Sequence, residues 1–157
     1  MSCYCKSGQE YINCCEQFHN GSKNPSTPEE LMRSRYSAFA TINMKYLKET
    51  MIGEVVEEFD EEEALAWSKS VNWVGLVVLE AKLIDPTHGV VEFEAFFKDP
   101  EEPLIGSMHE RSTFTMNDGQ WFYTGRLFNE HEQVDLEDKC PCASGKQFQK
   151  CCYGDDS

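Results

Sequence analysis

Eight cysteines, gathered into two matching quartets at the ends of the chain, constrain this sequence more than any other feature. Each quartet has the spacing C-x-C-x8-C-C: Cys3, Cys5, Cys14 and Cys15 form the first, and Cys140, Cys142, Cys151 and Cys152 form the second. The two copies also match at a Ser-Gly pair and at an aromatic residue. These are Ser7, Gly8 and Tyr11 in the first copy, and Ser144, Gly145 and Phe148 in the second. One short unit therefore occurs twice, with a long insert between the copies.

The spacing is typical of a closed zinc site. Structural zinc takes four ligands in a tetrahedron, with zinc–sulfur distances near ~2.3 Å. A C-x-C pair lets two sulfurs face one point, Gly8 and Gly145 allow the chain to reverse, and the C-C pair returns to complete the site. A unit this short builds no hydrophobic core, so the metal must supply its folding free energy, on the order of 10–16 kcal/mol. We predict two structural zinc sites, one in each quartet.

Other uses of these cysteines fit less well. The first five residues lack the basic and apolar pattern of a signal peptide, so we expect a cytoplasmic protein, and a reducing cytoplasm disfavours disulfides. A disulfide within C-x-C or between adjacent cysteines is geometrically awkward, and no C-x-x-C redox motif is present. Thiol redox chemistry or metal buffering remains the weaker alternative. Because adjacent residues rarely ligate one metal easily, His19 could replace Cys15 in the first site.

Charge limits the partners. The 157 residues include 14 Lys and Arg against 28 Asp and Glu, a formal net charge of −14. This acidity argues against nucleic acid as a partner of the middle segment, because neutralising phosphates requires a basic surface. The second quartet is locally more basic, with Lys139, Lys146 and Lys150. No stretch is long and apolar enough to predict a membrane span.

The segment between the quartets changes from helical to strand patterns. Thr27 is a predicted N-cap followed by Pro28, a short helix is predicted over 42–48, and Asp60 with Glu63 opens another helix. Strands are then predicted over 73–84, 90–98, 104–116 and 120–128, the last two joined by an Asn-Asp-Gly hairpin turn. Helices followed by antiparallel strands predict an α+β fold, with the helices on one face of the sheet.

The second quartet resembles a known zinc motif. Its residues run Cys140-Pro141-Cys142-Ala143-Ser144-Gly145-Lys146-Gln147-Phe148-Gln149-Lys150-Cys151-Cys152. This pattern is similar to the SEC-C motif of the preprotein translocase ATPase and other bacterial proteins. In the translocase the motif contacts a chaperone, so the resemblance implies a protein partner. The first copy keeps the ligand spacing but departs in its loop, where Gln9 stands in place of Lys146.

The whole chain resembles the bacterial YchJ-like family. The resemblance rests on the helix order and on three stretches, LMRSRYSAF at 31–39, VEF at 91–93 and HERSTF at 109–114. It implies an NTF2-like (cystatin-like) middle domain, in which a curved antiparallel sheet packs on helices to form a cone. We therefore expect an N-terminal zinc knuckle (residues 1–23), the middle domain (residues 24–130) and a C-terminal knuckle (residues 131–157).

Two charged side chains are predicted to face the inside of the cone. By alternation along its strand, Glu110 lies on the same face as Phe114, and Arg35 shares the apolar face of the first helix with Leu31 and Phe39. Because a buried acid needs a partner, we predict an Arg35–Glu110 pair. A structural ion pair is favoured over a general acid/base or anion-binding site.

These features favour an interaction protein over an enzyme. The leading hypothesis is a cytoplasmic zinc-binding adapter, with the knuckles contacting a protein partner and the middle domain as scaffold. The alternative is an NTF2-like enzyme or small-molecule binder that uses Arg35 and Glu110 in the cone, with the knuckles as staples. A cavity with two or more polar groups would favour the alternative, and a filled cone would favour the adapter.

Overall fold

A computed structural model describes residues 2–134, with side chains described as far as residue 127. Five α-helices and a 3-10 helix, η1, precede the sheet. Their bounds are η1 Tyr11–Asn13, α1 Cys15–His19, α2 Pro28–Ala40, α3 Met44–Glu49, α4 Glu54–Glu58 and α5 Glu61–Ser70. The predicted second zinc site, at Cys140, Cys142, Cys151 and Cys152, lies outside the described residues. Among the described residues, no helix is both long and apolar enough to cross a membrane.

The helix starts follow the predicted caps. Thr27 Oγ1 accepts a hydrogen bond from the backbone N–H of Glu30 at 3.1 Å, which starts α2 at Pro28. Asp60 caps α5 in the same way, accepting from the backbone N–H of Glu63 at 3.0 Å. Helix α4 was not predicted from the sequence. It has only five residues and none is buried, so the sequence shows no repeating apolar face there.

Four antiparallel strands follow, each pairing with the next. They are β1 Asn72–Asp85, β2 His88–Lys98, β3 Ile105–Asn117 and β4 Gln120–Val134, in the sheet order β1-β2-β3-β4. Asp118 and Gly119 have φ of 52° and 78°, as the predicted tight hairpin turn requires. Strand β4 continues past residue 130, where we expected the middle domain to end. Irregularities in the β1–β2 and β3–β4 registers bend the sheet around the helices.

The concave face of the sheet forms the main core with α2. Val91, Phe93 and Ala95 of β2 and Phe114 of β3 are buried there. The α2 residues of this core are Leu31, Met32 and Tyr36, and the same cluster includes Cys3, Cys5 and Cys15. The predicted α+β class, with helices followed by four antiparallel strands, and the inward face of β3 are confirmed. The first quartet is therefore part of the main core rather than a separate unit.

Candidate functional site

The four cysteines of the first quartet converge on one point. Their Sγ atoms all lie within 4.8 Å of one another. The Sγ–Sγ distance is 3.7 Å for Cys5 and Cys14, and 3.9 Å for Cys14 and Cys15. A tetrahedral ion with zinc–sulfur distances near 2.3 Å separates its sulfurs by about 3.8 Å. All four cysteines are free of disulfides, so they fit a four-thiolate metal site.

A tight loop brings the C-x-C pair together. The backbone N–H of Cys3 donates to Gln9 O at 2.8 Å, which closes the reversal. Gly8 has a φ of 88°, in the left-handed region that glycine was predicted to supply. Ser7 supports the same turn, because its Oγ accepts from the backbone N–H of Gln9 at 3.2 Å and lies 3.3 Å from Cys14 Sγ.

Three of the four thiols are buried, and the fourth, that of Cys14, is half-buried. Cys3, Cys5 and Cys15 are at most 2% exposed. Hydrogen bonds from Cys15 and then Cys5 hold the pKa of the Cys3 thiol well below its ordinary value, and the bond to Cys3 raises the pKa of Cys15. The arrangement therefore favours a thiolate on Cys3 that the other thiols solvate. A divalent cation would take the place of the remaining thiol protons.

His19 anchors the knuckle to the rest of the protein through both of its ring nitrogens. Its Nε2 donates to the backbone carbonyl of Ser34 at 2.8 Å, so its Nδ1 is left to accept from Tyr11 Oη, also at 2.8 Å. Burial lowers the pKa of His19, which keeps the ring neutral at pH 7. Both ring nitrogens are engaged, so the ligand set that the structure brings together is the four cysteines.

Two further residues of helix α2 contact the N-terminal knuckle. Arg33 Nη1 donates to Cys5 O at 2.7 Å while its Nε donates to Glu29 at 3.0 Å. Ser37, which is fully buried, places its Oγ 3.7 Å from Cys3 Sγ. Sequence reasoning missed both contacts, because they join residues about 30 positions apart and no local spacing marks them.

The cone contains a cavity of about 140 Å³ between α2, α5 and the concave face of the sheet. Its walls are largely aromatic: Phe39, Trp67, Trp73, Phe93, Phe114 and Tyr123. Arg35, Glu110 and Ser112 also line it, so the cavity contains several polar groups. Arg35 is 8% exposed and Glu110 is 7% exposed. The sequence correctly predicted that both side chains face the interior of the cone.

The contacts described for Arg35 and Glu110 are with other residues, whereas we predicted that the two would pair directly. Arg35 Nη1 donates to Leu47 O at 2.8 Å and to Thr50 Oγ1 at 2.7 Å, because the carbonyls at the end of α3 lack helical donors. Glu110 accepts a hydrogen bond from Ser112 Oγ and lies 3.6 Å from Arg126 Nη1. Arg35 and Glu110 are thus neighbours on one cavity, each held mainly by other groups.

Two cavity contacts were missed by sequence reasoning. The guanidinium of Arg35 lies 4.5 Å above the ring of Tyr123, a cation–π contact. Arg126 pairs with Ser112 across the β3–β4 ladder, next to an irregularity in the register. Alternation could have placed Tyr123 inward, as it does Trp121. It could not have placed Arg126, because a bulge interrupts the alternation.

Comparison with known proteins relates the chain to one bacterial family. The model of the family described as YchJ, middle NTF2-like domain, matches residues 27–125. A UPF0225 protein of Serratia proteamaculans is 38% identical over 151 residues, 96% of each chain. A UPF0225 protein of Vibrio cholerae is 33% identical over 153 residues, 97% of this chain and 99% of the relative.

Two solved structures of SEC-C motif containing proteins share the fold. The one from Rhodopseudomonas palustris has a TM-score of 0.72 and 36% identity, and covers 86% of this chain and 100% of its own. The one from Psychrobacter arcticus has a TM-score of 0.67 and 30% identity, and covers 94% of this chain and 87% of its own. The NTF2-like fold and the association with SEC-C motifs therefore agree with what the sequence predicted.

Replacing His19 with Phe should show whether this side chain only anchors the knuckle or also binds a metal ion. The His19→Phe variant loses two hydrogen bonds, so we expect a loss of about 1–2 kcal/mol in the free energy of unfolding with the metal content unchanged. Denaturant titration and elemental analysis of the purified protein measure the two quantities. As a control, His88→Phe alters an exposed histidine and should change stability by less than about 0.5 kcal/mol. Loss of one metal ion from His19→Phe would show that His19 is a ligand.

Proposed function

Because this chain belongs to the YchJ family, we propose that it is a cytoplasmic zinc-binding protein that acts as a protein-interaction adapter. The observation that carries the proposal is the convergence of Cys3, Cys5, Cys14 and Cys15 at the sulfur spacing of a tetrahedral site. Zinc suits such soft thiolate donors. The matching quartet at Cys140, Cys142, Cys151 and Cys152 supports a second zinc site, and reduced thiols fit a cytoplasmic location.

The two sites take different roles in this proposal. The first is a staple, because its cysteines are packed in the main core and joined to α2 through Arg33 and Ser37. With four thiolate ligands it has no position for water, so its role is structural rather than hydrolytic. Contact with a partner then falls to the C-terminal knuckle, whose sequence resembles SEC-C motifs more closely and carries Lys139, Lys146 and Lys150.

Metal content tests the zinc assignment. The wild-type chain should contain two zinc ions, and Cys15→Ser and Cys151→Ser should each contain one. Only Cys15→Ser should lower the unfolding temperature of the middle domain, by several degrees or more, because only its metal is packed in that core. Elemental analysis and calorimetry give both results. A wild-type protein without zinc after expression in zinc-supplemented medium would refute the assignment.

Partner capture tests the adapter role. The double variant Cys151→Ser, Cys152→Ser should lose partners that the wild type retains after cross-linking in cells. The matched control is Cys14→Ser, Cys15→Ser, which removes the same number of thiols from the other end of the chain. If wild type and the C-terminal variant give identical partner lists, the adapter proposal is wrong, whatever the zinc content.

A second candidate function is the binding of a small molecule in the cone. It is favoured by the cavity of about 140 Å³, which combines aromatic walls with the buried polar groups Arg35, Glu110 and Ser112. Apolar cavities with a few polar groups are typical of ligand sites. The two candidate functions use different parts of the chain, so they are compatible with one another.

A further inference from the structure

Arg35 is a buried cation whose hydrogen-bond partners are neutral. Both hydrogen bonds described for its guanidinium come from Nη1, to Leu47 O and Thr50 Oγ1. Among the side chains that the structure describes, Arg35 has no carboxylate as an ion-pair partner. A guanidinium has five N–H donors, so those of Nε and Nη2 remain for a ligand. Burial lowers the pKa of Arg35 to about 10, against the opposing effects of Tyr123 and Glu110, which still leaves it charged at pH 7.

The other charged groups near the cavity compensate one another. Glu110 accepts from Ser112 and pairs with Arg126, whose side chain is exposed. Tyr123 is neutral, because burial and the charge of Glu110 raise its pKa to about 12. Because Ser112 and Arg126 contact the Glu110 carboxylate and no carboxylate pairs with Arg35 among the described side chains, the free valence of the cavity lies at Arg35 and favours an anion.

A second polar group of the cavity lining is also a donor. Among the side chains that the structure describes, none is a hydrogen-bond partner of the buried indole Nε1 of Trp73. A buried donor left without an acceptor destabilises the folded protein. The Trp73 Nε1 atom has almost no accessible surface, so Arg35 is the donor to which a cavity ligand rich in acceptor oxygens would bind.

The volume and the walls set the size of the ligand. The cavity of about 140 Å³ is close to an engineered apolar cavity of about 150 Å³ that holds benzene. Phe39, Trp67, Phe93 and Phe114 line it, so the body of the ligand should be apolar. One ring, or a short branched chain, fills this volume.

We propose that the cone binds a small aromatic or branched-chain monocarboxylate, with its carboxylate on Arg35 and its apolar body among the aromatic walls. A guanidinium matches a carboxylate in geometry and can bind both oxygens at once. This assignment rests on the second candidate function.

The ligand class is tested by calorimetric titration of the full zinc-loaded chain with four probes. Benzoate should bind saturably, and about tenfold or more tighter than benzyl alcohol, because hydrogen bonds to a charged group are worth about 1.5–3 kcal/mol. Benzylamine should bind more weakly than either, because the cavity disfavours a cation. Acetate should also bind more weakly than benzoate, because it leaves the aromatic walls unfilled.

Two variants and a control tie the binding to Arg35. Arg35→Met should lower the affinity for benzoate about tenfold, to that of the wild type for benzyl alcohol. Glu110→Gln should bind benzoate a few-fold tighter than wild type, and it keeps the proposal testable if Arg35→Met does not fold. Arg111→Met is the matched control, because it removes an arginine that pairs with Glu80 and Glu92 away from the cavity. It should leave benzoate affinity unchanged.

The outcomes distinguish the carboxylate assignment from the broader proposal that the cone binds a small molecule. Tighter binding of benzyl alcohol or benzylamine than of benzoate would overturn the carboxylate assignment while keeping the cone as a ligand site. The assignment would also be overturned if Glu110→Gln weakened benzoate binding. Failure of all four probes to bind would overturn both the assignment and the second candidate function.

Discussion

The packing of the four-cysteine cluster against α2 is the contact on which the rest of the structure depends. Ser34 and Ser37 of this helix face the N-terminal knuckle, where they contact His19 and Cys3. Met32, Arg35, Tyr36 and Phe39 of the same helix line the cone cavity. One helix thus joins the candidate metal centre to the candidate ligand site. Metal binding free energy, on the order of 10–16 kcal/mol for small zinc modules, would then stabilise the wall of the cavity as well as the knuckle.

This arrangement explains why a knuckle too short for a core of its own can fold here. Its cysteines are buried among Leu31, Met32 and Phe114 of the main core, and Phe18 packs in a second cluster with Ala38 and Leu47. A metal bound by these cysteines would therefore add to the stability that packing against the middle domain supplies. The two candidate functions also use different parts of the chain, because the cavity lies inside the cone and the proposed partner contact falls to the C-terminal quartet.

Local chemistry was predictable from the sequence, and long-range packing was not. The caps at Thr27 and Asp60, the hairpin at Asp118 and the inward face of Glu110 each depend on neighbours a few residues away. The docking of Cys3 on Ser37 and the reach of Arg35 to Thr50 depend on how elements pack, which no spacing encodes. Arg126 was missed because a bulge breaks the alternation used to place side chains. The metal ligands were the exception among distant contacts, since their spacing is itself the signal.

The most direct test of this account is hydrogen exchange of the intact chain with and without metal. Chelation should speed exchange in residues 2–19 and also in α2, Pro28–Ala40, because the cysteine cluster holds that helix. The turn between β1 and β2, at residues 85–88, serves as an internal reference that should not change. Faster exchange confined to residues 2–19, with α2 as protected as before, would contradict the claim that the metal centre and the cone are one cooperative structure.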